Sequence, residues 1–290
     1  MEENSGKKGF FSLLEPRSAA LVGAITGVLA LCTIGFVVMI IMALSGGLNC
    51  SSSAKASDLS TLTDNGAAAT GQAAEQAAAE PAPQTDKPKA ELFVMAYCPY
   101  GLQMEKAFLP VMELLKGKAD MTIRFVSYAM HGKNEIDENT RQYCIQKEQN
   151  AKLISYLKCF AESASGDSAG CITKAGVNQN TLNACVANAD KQFGITAKFD
   201  DQSSWLSGRY PIFPVDLGLN SQYKIEGSPT LVINGVVSEA ARNPEAVKQA
   251  ICAAFKTQPA ACKQGLSTAS ATAGFGAGTG ADTGSADCGS

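Results

Sequence analysis

Glu91-Leu-Phe-Val-Met-Ala-Tyr-Cys98-Pro-Tyr-Gly101-Leu-Gln-Met-Glu-Lys-Ala-Phe-Leu109 decides the fold. The short apolar run from Leu92 to Tyr97 reads as a buried strand. Cys98-Pro99 follows at once, and a helix follows that. Proline suits a first helical position, where a missing N–H costs nothing. Cys98 is therefore expected at a helix N-terminus, where unpaired N–H groups and the helix dipole favour a thiolate, the reactive form of cysteine. A buried structural cysteine beside a helix start is the blander reading.

Working outward, residues 100–116 form the helix, with Leu102, Phe108, Leu109, Met112 and Leu115 on one side and Pro110 expected to kink it. Met121 to Tyr128 alternates and reads as a second strand. A strand–helix–strand order implies a parallel pair with a right-handed crossover. Its carboxyl ends share one sheet edge, where ligand and catalytic groups collect. Cys98 follows the first strand and Met130-His131 the second. His131 is thus a candidate proton carrier for Cys98. The blander reading, and the favoured one, is a loop histidine bonded to the next helix start.

A second informative stretch is Ile225-Glu-Gly-Ser228-Pro229-Thr230-Leu-Val-Ile-Asn-Gly235. It reads as a loop, a strand and an Asn-Gly hairpin turn. Residues 236–239 supply the partner strand. Asn243-Pro244 caps a last helix running to Phe255. Tyr210-Pro211-Ile-Phe-Pro214 suits either a peptide-binding surface or core packing.

The two stretches resemble the active-site strand, turn and helix and the cis-proline loop of the thioredoxin superfamily, over about residues 90–258. The helical segment between them is similar to the DsbA-type branch. Its cysteines also resemble those of the gamma-interferon-inducible lysosomal thiol reductase. The resemblance implies a thioredoxin-like α/β fold with a helical insertion, and thiol–disulfide exchange on protein thiols or disulfides. It implies a cis Ser228–Pro229 bond, Cys98 as nucleophile, Pro99 and Tyr100 as tuning residues, and Ser228, Pro229 and Thr230 as the substrate-docking loop. One departure matters: the family's Cys-x-x-Cys is here Cys98-Pro-Tyr-Gly101, without the second, resolving cysteine. Cys50, Cys288 or an external thiol would have to resolve a mixed disulfide.

The insertion spans about residues 134–196. Asn134 to about Ser163 lacks Gly and Pro and reads as one helix. A loop follows to Gly176, then a helix over 178–193. On one straight helix Cys144 and Cys159 lie about 22 Å apart, beyond the ~7 Å reach of a disulfide. An antiparallel hairpin favours a nested pattern, Cys159–Cys171 near the turn and Cys144–Cys185 farther up. Cys252 and Cys262, flanking the end of the last helix, form a third candidate pair. Four thiolates around zinc fit less well, since no two ligands are closely spaced, so no metal is expected.

The chain has 290 residues, net charge −3, ten cysteines and one histidine. Residues 90–264 hold 18 Lys/Arg against 17 Asp/Glu, so nothing in the charge points to nucleic acid. The cysteine count favours an oxidising compartment. Residues 18–44 carry no charge and are long enough to span a bilayer. Lys7, Lys8 and Arg17 precede them in the polar segment 1–17, which places the N-terminus in the cytoplasm and the rest outside. A cleaved signal peptide is the weaker reading, because its apolar core runs only about 7–15 residues. Residues 45–89 read as a flexible linker with a reach of about 35–40 Å, residues 90–264 as the folded domain, and 265–290 as a disordered tail.

The expectation is a membrane-anchored extracytoplasmic thioredoxin-like protein, without a cofactor, exchanging disulfides through one thiol. The alternative is an inactive thioredoxin-fold module that only binds protein. A metal carrier using Cys98, Met95 and His131 is a weaker class.

Overall fold

The structure, a computed structural model, describes residues 81–279. The described residues all belong to one compact unit of the chain. The candidate membrane span 18–44, Cys50 and Cys288 lie outside them. Among the described residues, no helix is long and apolar enough to cross a membrane.

Four strands form one sheet in the order β2-β1-β3-β4: β1 (Lys89–Val94), β2 (Asp120–Phe125), β3 (Thr230–Ile233) and β4 (Val236–Ser238). β1 runs parallel to β2 and antiparallel to β3, and β3 pairs antiparallel with β4. β1 is central and buried from Ala90 onward, which is why it reads as a continuous apolar run rather than an alternation. Its one buried charge, Glu91, is held by Lys89 and Arg124 at 2.9 Å each. Arg124 also reaches Asp216, whose carboxylate accepts the Phe125 N–H at 2.9 Å. Paired in this way, the buried charge escapes the penalty of isolation.

Helix α1 (Pro99–Leu114) links β1 to β2, and Pro110 does not end it. The strand–helix–strand unit followed by an antiparallel hairpin is the thioredoxin-like arrangement. Between β2 and β3 lies an insertion of α2 (Gly132–Glu148), α3 (Asn150–Glu162), α4 (Ser168–Ala175), α5 (Gln179–Phe193) and α6 (Ile195–Asp200). Helix α7 (Leu217–Tyr223) returns the chain to the sheet, and α8 (Pro244–Ala253) follows β4.

The single helix expected over 134–163 is two. It breaks at Gln149, whose φ and ψ are −139° and 43°. The Gln149 amide accepts from the Asn178 N–H at 2.7 Å and donates to the Asn178 carbonyl at 3.1 Å. The bend lets Cys144 and Ile145 on one side and Leu153, Tyr156 and Phe160 on the other bury in the same core. The loop expected at 163–176 contains α4, capped by Asp167, which accepts from Gly170 N, and closed by Gly176 at φ 65°. Three disulfides join Cys144 to Cys185, Cys159 to Cys171 and Cys252 to Cys262, with Cα separations of 5.7, 5.5 and 5.9 Å. The first ties α2 to α5, and the second ties α3 to α4.

Both ends of the domain extend further than composition suggests. Thr85, assigned to the linker, donates to Ala254 O and accepts from Lys256 N, each at 2.9 Å. Residues 265–279, assigned to a disordered tail, instead cross α1 and α3. Lys106 donates to the carbonyls of Thr272, Gly274 and Gly276 at 2.8–3.0 Å. The Phe275 ring sits 5.6 Å from Tyr97 and 5.3 Å from Phe160, edge-on to both. One aromatic anchor and one cation grasping the backbone hold a segment that lacks any apolar periodicity.

Candidate active site

The site forms where β1 turns into α1. Cys98 closes the turn by donating its N–H to Met95 O at 3.0 Å. It is the N-cap residue of α1, with extended backbone angles, and Pro99 opens the helix. No side chain caps this end, so the helix presents its free N–H groups toward the cysteine. Cys98 is the free cysteine among the described residues, buried to 6% exposure.

The Ser228–Pro229 bond is cis. The Ser228 carbonyl accepts from the Cys98 thiol at 3.5 Å, and the Ser228 hydroxyl accepts from the Met95 N–H at 2.9 Å. One serine therefore bridges the loop to both sides of the cysteine turn. Thr230 stiffens the loop by donating its hydroxyl to Gly227 O at 2.8 Å. A Cβ on Gly101 would lie 2.5 Å from the Ser228 oxygen and 3.2 Å from Met95 O. The space that a side chain at position 101 would enter is occupied by the Ser228 hydroxyl.

Helix α2 supports the turn from behind. The buried Glu135 carboxylate accepts from the backbone of Tyr97 at 3.0 Å, Met130 at 2.8 Å and His131 at 3.1 Å. Asn139, one helical turn on, accepts from Ala96 N at 3.1 Å. The three residues before Cys98 thus have their N–H groups held by Ser228, Asn139 and Glu135. His131 Nδ1 lies 3.0 Å from the same Glu135 carboxylate. That hydrogen bond, offset by partial burial, raises the imidazole's pKa. The histidine occupies the helix-start role, and no hydrogen bond joins it to Cys98 among the described residues.

A small apolar cluster of Phe93, Met95, Cys98, Val126 and Val232 lies under the site, flanked by Tyr100, Tyr128 and Met130. Met95 belongs to this packing. Burial, with Tyr210 and Cys98 nearby, raises the Tyr128 phenol, which donates to Glu226 O at 2.9 Å. Of the two expected roles of the 210–214 segment, core packing is the one seen. Phe213 is fully buried against Phe125, while Tyr210 lies against Tyr128 at the site's margin. Sequence reading missed Glu135 and Asn139. An acidic residue in the first turn of α2, with an amide one turn later on the same face, was the available signal.

Fold and site together define a thioredoxin-like domain with one thiol at the head of its first helix. No family model matches the sequence, and no curated protein matches it. Solved structures similar to the chain include DsbG from Mycobacterium tuberculosis in its reduced form, 14% identical over 63% of this chain and 87% of that one, TM-score 0.42. Oxidised BdbD from Bacillus subtilis is 16% identical over 59% and 89%, TM-score 0.38. DsbA from Pseudomonas aeruginosa is 14% identical over 60% and 84%, TM-score 0.36.

Proposed function

We propose that the protein is a membrane-anchored, extracytoplasmic thiol–disulfide exchange protein that works through Cys98 alone. The observation that carries this reading is the seat of the Cys98 sulfur, at a helix N-terminus and 3.5 Å from the Ser228 carbonyl of a cis-proline loop. The Cys98 thiolate attacks one sulfur of a substrate disulfide. A Cys98–S bond forms, the substrate S–S bond breaks, and the other substrate sulfur leaves as a thiolate. A second thiol then attacks the mixed disulfide and frees Cys98. With glycine at position 101, that thiol comes from the substrate, from another molecule, or from Cys50 or Cys288.

Three disulfides in the domain suit an oxidising compartment. The uncharged stretch 18–44, preceded by Lys7, Lys8 and Arg17, supports an anchor with the N-terminus in the cytoplasm. Protease protection of membrane vesicles tests it. Digestion of the domain from the cytoplasmic side would reverse the assignment.

One observation favours the second reading, a tethered binding module: the cysteine is only 6% exposed. Cys98→Ser separates the two. The exchange reading expects wild type to form mixed disulfides with substrate proteins and the variant to form none. Equal disulfide exchange by both would leave the binding module.

A further inference from the structure

Arg242 lies between β4 and α8, and its guanidinium is held beside the cysteine turn. Its Cζ stands 4.7 Å from the centroid of the Tyr100 ring. Its Nη1 donates to the Gln103 side-chain oxygen at 3.2 Å. Gln103 in turn donates to Ala271 O at 2.8 Å, which ties this arrangement to the packed tail. Tyr100 and Gln103 both belong to the first two turns of α1, so the cation is fixed relative to Cys98.

Arg242 forms no ion pair among the described residues. It lines a pocket of about 170 Å³ whose wall includes Met104, Pro229 and Thr230. Pro229 and Thr230 follow the residue whose carbonyl meets the Cys98 sulfur. The pocket therefore adjoins the loop whose Ser228 carbonyl meets the Cys98 sulfur. Glu239 is the one carboxylate on its lining; it is exposed and forms no ion pair with the guanidinium. A guanidinium held by an aromatic face and one hydrogen bond keeps its remaining donors free and loses little side-chain freedom on binding a carboxylate.

We infer that Arg242 is a specificity residue that recognises a carboxylate carried by the disulfide partner of Cys98. The inference rests on the exchange reading above. The partner's class is a disulfide with an acidic group a few bonds from the sulfur, whether a small oxidised thiol or a cystine flanked by acidic residues.

The test compares single-turnover rates of the full-length protein, each less the rate of its Cys98→Ser counterpart, with two probes: anionic 5,5′-dithiobis(2-nitrobenzoate) and neutral 2,2′-dithiodipyridine. Each is normalised to the same probe's rate with a small free thiol. In both reactions Cys98 sulfur bonds to one probe sulfur, and the other departs as a thiolate that absorbs light. Arg242→Gln should lower the anionic-to-neutral ratio about 3–10-fold, and Arg242→Lys should recover part of it. High salt should shrink the wild-type preference. Peptide disulfides flanked by Glu or by Lys form a second arm. Dependence on Arg242 in one arm alone supports the inference and identifies the source of the carboxylate. Reaction of wild type with an unchanged ratio in Arg242→Gln, in both arms, overturns this inference alone. No reaction of Cys98 with any probe overturns the exchange reading and this inference with it.

Discussion

The Ser228 hydroxyl oxygen stands 2.5 Å from the point where a side chain on Gly101 would begin. The same oxygen accepts the Met95 N–H. A residue larger than glycine at 101 must turn the serine hydroxyl aside and leave that N–H unpaired. Losing a buried hydrogen-bond partner costs about 1–3 kcal/mol. Gly101→Ala and Ser228→Ala should therefore each destabilise by that amount in urea unfolding. Both lose the same hydrogen bond, so the double variant should cost little more than the worse single one. Additive losses would show that the two residues are independent.

Glu105 on α1 is fully buried, and neither of its oxygens has a hydrogen-bond partner. Burial, helped by the Glu138 charge, pushes its carboxyl up to about 8. A folded value above the unfolded one means that the associated stability is fully present below about pH 4.5 and is lost as pH rises through about 8. Glu105→Gln cannot ionise. Relative to wild type it should gain on the order of 3–5 kcal/mol between about pH 5 and pH 9. Denaturant midpoints at the two pH values measure this, and a constant difference would refute the burial argument.

The tail strap should be separable from the rest of the domain. The Phe275 ring is half-buried between Tyr97 and Phe160. Phe275→Ala is expected to cost about 1–3 kcal/mol, less than the ~3–5 of a fully buried phenylalanine. The Gly274 N–H donates to Pro99 O and the Gly276 N–H to Ala161 O. Both amides should lose hydrogen-exchange protection in the variant while β1 keeps its own. Unchanged protection at these glycines would mean that the hydrogen bonds of Lys106 and Gln103 hold the strap without the ring.

The disulfides should rank by the length of chain they close. Cys144–Cys185 spans 41 residues and Cys252–Cys262 spans 10. Loop-closure entropy gives about 4 against about 3 kcal/mol. Paired Cys→Ala substitutions, compared by chemical denaturation, should follow that order. A larger loss from the short loop would point to packing of the buried sulfurs rather than chain entropy.

Residues 91–109 and 225–235 made the central strand, the helix head and the proline loop legible, because each uses a local rule. A buried strand is continuously apolar, proline opens a helix, and Asn-Gly turns a hairpin. The break at Gln149 was not legible. No glycine or proline marks it, and it exists because Asn178 bonds the Gln149 side chain. The packed tail escaped notice for a similar reason. Gly, Ala, Thr and Ser carry no periodic signal, and the partners of 271–276 lie more than a hundred residues away.

The sequence by itself determined that one cysteine heads the first helix and that a glycine stands three positions after it. Hydrophobic pattern and helix-start chemistry are local, and a chain reports them directly. Only the tertiary structure decided what surrounds that sulfur: Ser228 against Gly101 and Cys98, Glu135 and Asn139 gripping the turn, and Arg242 against Tyr100. Each of these meets the site across 38 to 142 positions of sequence. Which side chain fills a given space is set by packing over such distances, and no local pattern encodes it.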